Sequence, residues 1–97
     1  MLYIEPMVFY MQNYKVNVEG MGFEYGTVCV PCVFAFMDEM KKQEGIEDVS
    51  FVITEKLFYV TSECGHKKTE KRTAEALEKA GLRLGKDFRM VSLTVSC

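Results

Sequence analysis

The residues of this chain whose types and spacing can do chemistry are Cys29 and Cys32, in the run Cys29-Val30-Pro31-Cys32. Two thiols three residues apart at the start of a helix can point one way, sharing a soft metal ion or closing a disulfide. A helix N-terminus adds partial positive charge and free N–H groups, which favour thiolate over thiol. Pro31 suits the first helical turn, where a missing N–H costs nothing. The remaining elements are read as the scaffold that positions this corner.

With 97 residues, 48% of them hydrophobic, the chain has the apolar surface for one small domain and a single core. A formal net charge of -2 argues against a general nucleic-acid backbone binder, which carries a basic excess. Residues 1–13 are read as an apolar N-terminal extension and 14–97 as the domain. Leu2, Tyr3, Ile4, Met7, Val8, Phe9 and Tyr10 are too apolar for a free tail, so the segment is expected to pack on the domain or on a second copy. Glu5 and Pro6 interrupt it, and it has no basic start or small-residue cleavage site, which argues against a signal peptide or a membrane span. Four cysteines without an export signal point to a reducing cytoplasm, where thiols serve metal or redox chemistry.

Tyr14, Val16 and Val18 alternate with Lys15, Asn17 and Glu19, the period of a half-buried strand. Gly20, Gly22 and Gly26 punctuate an aromatic loop before Cys29. Val33, Phe36, Met37 and Met40 then fall at i, i+3, i+4 and i+7 on a helix that Gly45 ends. Two β-rich runs, Val49–Thr54 and Leu57–Thr61, read as a hairpin across Glu55-Lys56. After a polar loop over 63–68, Thr69 is expected to cap a second helix with Thr73, Ala74, Leu77 and Ala80 on its buried side and Gly81 as its stop. Phe88–Val95 forms the last strand, with Val91, Leu93 and Val95 on one face. The order βαββαβ in one small domain predicts an α+β, ferredoxin-like sandwich: a four-stranded antiparallel sheet with two helices on one face.

From Tyr14 to Val95 the chain resembles the heavy-metal-associated domain family of small copper chaperones and the metal-binding modules of metal-transporting ATPases. Cys29-x-x-Cys32 is followed at the family's spacing by Phe36, Met40 and Gly45-Ile46, and then by Glu47-Asp48-Val49. Gly20-Met21 matches the Gly-Met that precedes the motif, and Ala76-Leu77 through Ala80-Gly81-Leu82 looks like the end of the family's second helix. The sequence departs from the pattern in three places. Gly22 to Val28 separate Met21 from Cys29, Leu82 stands where Tyr or Lys often closes over the metal, and Arg83 to Asp87 lengthen that loop. The resemblance implies a non-enzymatic metal-binding module with Cys29 and Cys32 as ligands, and a metal-transporting ATPase or another acceptor protein as partner.

Two soft thiolates with no neighbouring His or carboxylate favour Cu(I), which accepts two sulfurs, over Zn(II), which normally takes four ligands; Zn(II) and Hg(II) remain as alternatives. A redox disulfide and an inert structural pair also stay open, as does a metal-free interaction or oligomerisation module. A thioredoxin-like enzyme does not fit, because the strand order differs and the only other proline is Pro6. Cys64, His66 and the terminal Cys97 are weighed as a second soft site and read as a surface loop with a frayed terminus, lying at the pole opposite Cys29. The basic run His66-Lys67-Lys68 and Lys71-Arg72 is read as a solvated helix start rather than a docking site for an acidic partner. Met37 and Met40 are assigned to packing. Phe23 and Tyr25 either lid the metal or pin a long glycine loop to the core.

Overall fold

The computed structural model describes residues 11–96. The expectation that residues 1–13 pack on the domain or a second copy falls mostly outside them, and so does Cys97. Strands β1 (Gln12–Glu19), β2 (Ile46–Val52), β3 (Leu57–Ser62) and β4 (Arg89–Val95) form an antiparallel sheet in the order β2-β3-β1-β4. Helices α1 (Val30–Lys41) and α2 (His66–Leu84) lie on one face of it. This is the ferredoxin-like βαββαβ arrangement that the element order predicts.

Alternation in β1 works as its sequence implies: Tyr14, Val16 and Val18 are buried, and the residues between them face away. Beneath the helices, Phe36 of α1 meets Phe58 of β3 edge-on, with ring centroids 4.7 Å apart. Phe51 extends the aromatic cluster at 4.8 Å from Phe58. Met21, Met40, Ala76 and Ala80 complete the core, each with no exposed surface. Arg83 ties the helices together at their exposed seam, donating to Asp38 Oδ2 (2.9 Å) and Glu39 Oε2 (3.0 Å). The Arg83 guanidinium, with Lys42 beside it, holds the Asp38 carboxyl below its ordinary range.

Several boundaries differ from the expectation, each for a tertiary reason. α2 starts one turn early, at His66, and Thr69 is buried inside it instead of capping it. The Thr69 hydroxyl lies 2.8 Å from Ser62 Oγ and donates to the Cys64 carbonyl, so β3 and the turn after it hold this side chain. Gly81 does not stop α2. The stop is Gly85 at φ +66°, where Lys86 N–H closes back on the Gly81 carbonyl at 2.9 Å, a Schellman-type ending. A side chain at 81 would place its Cβ 2.5 Å from the Lys86 carbonyl oxygen, which explains a glycine inside the helix. The buried side of α2 carries Ala76, while Ala74 is exposed.

α1 ends at Lys41, short of Gly45, whose φ of +89° turns the chain into β2. Ile53 lies beyond β2 and is 61% exposed. In β4, Asn17 pairs with Ser92 but Val18 pairs with Met90, so Val91 is the extra residue of a bulge. The bulge sends Met90 toward the core and leaves Val91 exposed beside buried Leu93.

Candidate metal centre

Cys29 and Cys32 sit where the chain crosses from β1 to α1. Beyond Glu19 the chain turns at Gly20 (φ +104°), and Met21 plugs the core. The Cys29 N–H then donates to the Met21 carbonyl at 2.8 Å, closing residues 22–28 into a compact excursion. Its hub is the Gly22 carbonyl, which accepts from Tyr25 N–H (3.1 Å), Thr27 N–H (2.9 Å) and the Thr27 hydroxyl (2.9 Å). Gly22 and Gly26 both hold positive φ, +91° and +78°, at the two ends of a short 3-10 turn over Phe23–Tyr25.

Of the two roles weighed for the aromatic residues of this loop, Phe23 takes the second. Phe23 stacks on Phe51, with centroids 5.3 Å apart and planes 18° from parallel, so it pins the loop to the core. Tyr25 stands at the tip, 82% exposed.

Cys29 occupies the N-cap position of α1 in extended backbone (φ -85°, ψ 100°), and Pro31 lies in the first turn as its fixed φ favours. Cys32 follows one turn later, with its Cα 5.3 Å from that of Cys29. Cys32 is fully buried and Cys29 half-buried. In this structure the two sulfurs are joined as a disulfide. No side chain caps the helix start, and no acidic residue stands in its first turn. The helix dipole therefore acts unopposed within that turn on Cys29, the half-buried sulfur. The donor set is two sulfurs on one helix end, which fits a soft ion of low coordination number.

Cys64 and His66, the two described members of the second set of soft side chains, point apart. Cys64 turns toward the start of β2, its sulfur 3.9 Å from the Glu44 carbonyl oxygen and seated against Gly45. His66 turns the other way, toward β4, and its Nε2–H donates to the Leu93 carbonyl at 3.1 Å. Among the described residues, no three His, Cys, Asp or Glu side chains gather as a metal cluster. Met40 is enclosed in the core and Met37 packs at its edge, as the helical stripe implies. Leu82 is 78% exposed on α2.

One feature near the cysteines has a weak signal in the sequence. Val30, Phe34 and Ile53 are exposed, at 53%, 65% and 61%, and line a groove of about 450 Å³ with Val28, Met37 and Phe51. Phe34 is an apolar residue on the nominally polar side of α1, which is the only hint of it.

Fold and site together define a ferredoxin-like sandwich that carries a disulfide-bonded cysteine pair at the N-terminus of its first helix. Among solved structures, the chain is similar to a copper-binding domain from HMA7, a P-type ATPase. The TM-score is 0.53 at 13% sequence identity, covering 84% of this chain and 96% of that one. At that identity the likeness is one of fold. No protein-family model matches the sequence, and no curated protein matches it. Among the described residues no helix is long and apolar enough to cross a membrane.

Proposed function

We propose that this protein is a non-enzymatic carrier of a soft metal ion, Cu(I) in the first place, held between Cys29 and Cys32. The observation that carries the reading is the placement of this sulfur pair. One half-buried and one buried cysteine share the N-terminal turn of α1, in a fold also used by a domain described as copper-binding. Loading begins by reduction: a thiol reductant such as glutathione supplies two electrons and two protons to the disulfide and is itself oxidised to its disulfide. The two thiols then lose protons as Cu(I) binds. Transfer follows when a thiolate of an acceptor protein attacks the two-coordinate ion and displaces Cys29, the more accessible sulfur. A metal-transporting ATPase or another cytoplasmic acceptor suits that exchange. Zn(II) and Hg(II) are the competing ions.

Native mass spectrometry of the reduced chain with one equivalent of Cu(I) and a competing chelator tests the proposal. A one-to-one complex is expected for the native sequence and none for the Cys29→Ser/Cys32→Ser double variant. Retention of copper by the double variant would overturn it.

A second reading is favoured by the disulfide itself: a thiol redox sensor using the same two sulfurs. It requires one cysteine to be a thiolate at neutral pH. Alkylation of the reduced chain at the rate of an ordinary free thiol would exclude it.

A further inference from the structure

We infer that the reduced chain passes two electrons to the disulfide of another molecule, with Cys29 as the attacking sulfur and Cys32 as the resolving one. The inference rests on the second reading above, in which the pair cycles between disulfide and dithiol, and not on metal binding. Two observations carry it. The sulfurs are joined in this structure, with their Cα atoms 5.3 Å apart, so the oxidised product of such an exchange is a state the fold accommodates. Their exposure is unequal: Cys29 is half-buried at the N-cap of α1, and Cys32 has no exposed surface. A disulfide approaching from outside therefore meets Cys29 and does not reach Cys32. Cys29 also stands at the positive end of the α1 dipole, with neither a side-chain cap nor a first-turn acid to oppose it.

Exchange takes two displacements. The Cys29 thiol gives up its proton and its sulfur attacks one sulfur of the substrate disulfide; the substrate S–S bond breaks and its other sulfur leaves as a thiolate. The mixed disulfide now lies one helical turn from Cys32. The Cys32 thiol gives up its proton and its sulfur attacks that of Cys29; the mixed S–S bond breaks and the remaining substrate sulfur leaves. The chain is oxidised by two electrons, the substrate is reduced by two, and the two protons end on the substrate thiols. Because the second displacement is intramolecular, it outruns attack by a thiol from solution. The direction follows from linkage. A disulfide that closes a loop of the folded chain stabilises the fold, and the fold in turn stabilises the disulfide, so electrons pass outward to disulfides held less firmly. The step needs the sulfur pair and its helix, not the strand order of a thioredoxin-like enzyme. Two sources supply such a substrate, a polypeptide and an oxidised small thiol.

The test uses the full chain, reduced and freed of reductant, as the native sequence, Cys32→Ala and Cys29→Ala. Each is mixed with a peptide closed by a disulfide and, separately, with oxidised glutathione. Mass spectrometry follows the products, and peptide mapping locates any attached group. The native chain should lose the mass of two hydrogens and the substrate gain it, faster than glutathione at equal thiol concentration reduces the same peptide. Cys32→Ala should stop at a mixed disulfide on Cys29, and in Cys29→Ala the adduct at the pair should be lost. Reaction with the peptide alone assigns a polypeptide substrate, and reaction with oxidised glutathione alone a small one. Three results would each overturn the inference: both disulfides left intact by the native chain, a native rate no faster than that of glutathione, or an adduct on Cys32 in Cys29→Ala. Rapid alkylation of the same reduced native chain would then show that the sensor reading survives the failure.

Discussion

The unequal surroundings of the two cysteines predict that their serine variants differ sharply in stability, and the difference can be worked from the structure. Cys29 is the N-cap of α1, in extended backbone and with no side-chain cap bond. Serine there can accept a hydrogen bond from a free N–H of the first turn, and a good N-cap contributes ~1 kcal/mol. Cys32 is fully buried among apolar side chains. A thiol behaves there as a small hydrophobe, whereas a poorly paired hydroxyl costs ~1–3 kcal/mol. Under a non-thiol reductant, which removes the disulfide from the comparison, Cys29→Ser should match or exceed the native chain and Cys32→Ser should fall below it. A gap of ~2 kcal/mol between the variants corresponds to ~8–16 °C in melting midpoint for a domain of this size. Circular dichroism melts at matched concentration measure it. Oxidising the native chain should then add ~2 kcal/mol, the chain-entropy value for so small a closed loop. Coincident melts for the two variants, or the reverse order, would refute the assignment of Cys29 as cap and Cys32 as core.

Two further expectations concern the scaffold. Gly81→Ala should lower the melting midpoint: alanine favours the helix by up to ~1 kcal/mol, but its Cβ would press on the Lys86 carbonyl 2.5 Å away, and overpacking costs ~1–3 kcal/mol. An unchanged or raised midpoint would mean that the turn after α2 gives way freely. Glu47→Gln should raise the midpoint near neutral pH and lose its advantage in acid. The hydrogen bond and like charge of Glu63 raise the Glu47 pKa, so the native pair is most stable when protonated and weakens as pH rises through that folded-state value. Melts of both proteins across the carboxylate range check the sign, and an advantage that grows in acid would contradict it.

Much of this architecture is legible in the residues. Tyr14, Val16 and Val18 announce a strand by period alone, and Val33, Phe36 and Met40 announce a helix. The Cys-x-x-Cys run sits at a helix start because Pro31 belongs in a first turn. What the sequence hides are contacts that exist only once the turns have closed. Thr69 has the chemistry of a cap, yet Ser62 and the Cys64 carbonyl claim its hydroxyl. Gly81 reads as a stop, yet it serves a close approach by Lys86 while Gly85 makes the turn. Val91 continues an apolar alternation that a bulge opposite Asn17 and Val18 breaks. Ile53 and Phe34 carry core-type side chains, and only the folded chain leaves them outside. The disulfide is likewise not determined by spacing, since the same two thiols suit a shared ion.

The Gly22 carbonyl, with three donors converging on it, gives the approach to Cys29 a shape of its own. Small zinc-dependent modules are unfolded until their ion arrives, so their affinity includes the entropy of ordering the chain. Here the loop's hydrogen bonds and the Phe23–Phe51 stack settle that ordering during folding. Whatever joins Cys29 and Cys32 meets a lead-in already in place. On the carrier reading proposed above, an exchange of occupants calls for a change at the sulfurs and none in the hydrogen bonds that close the loop.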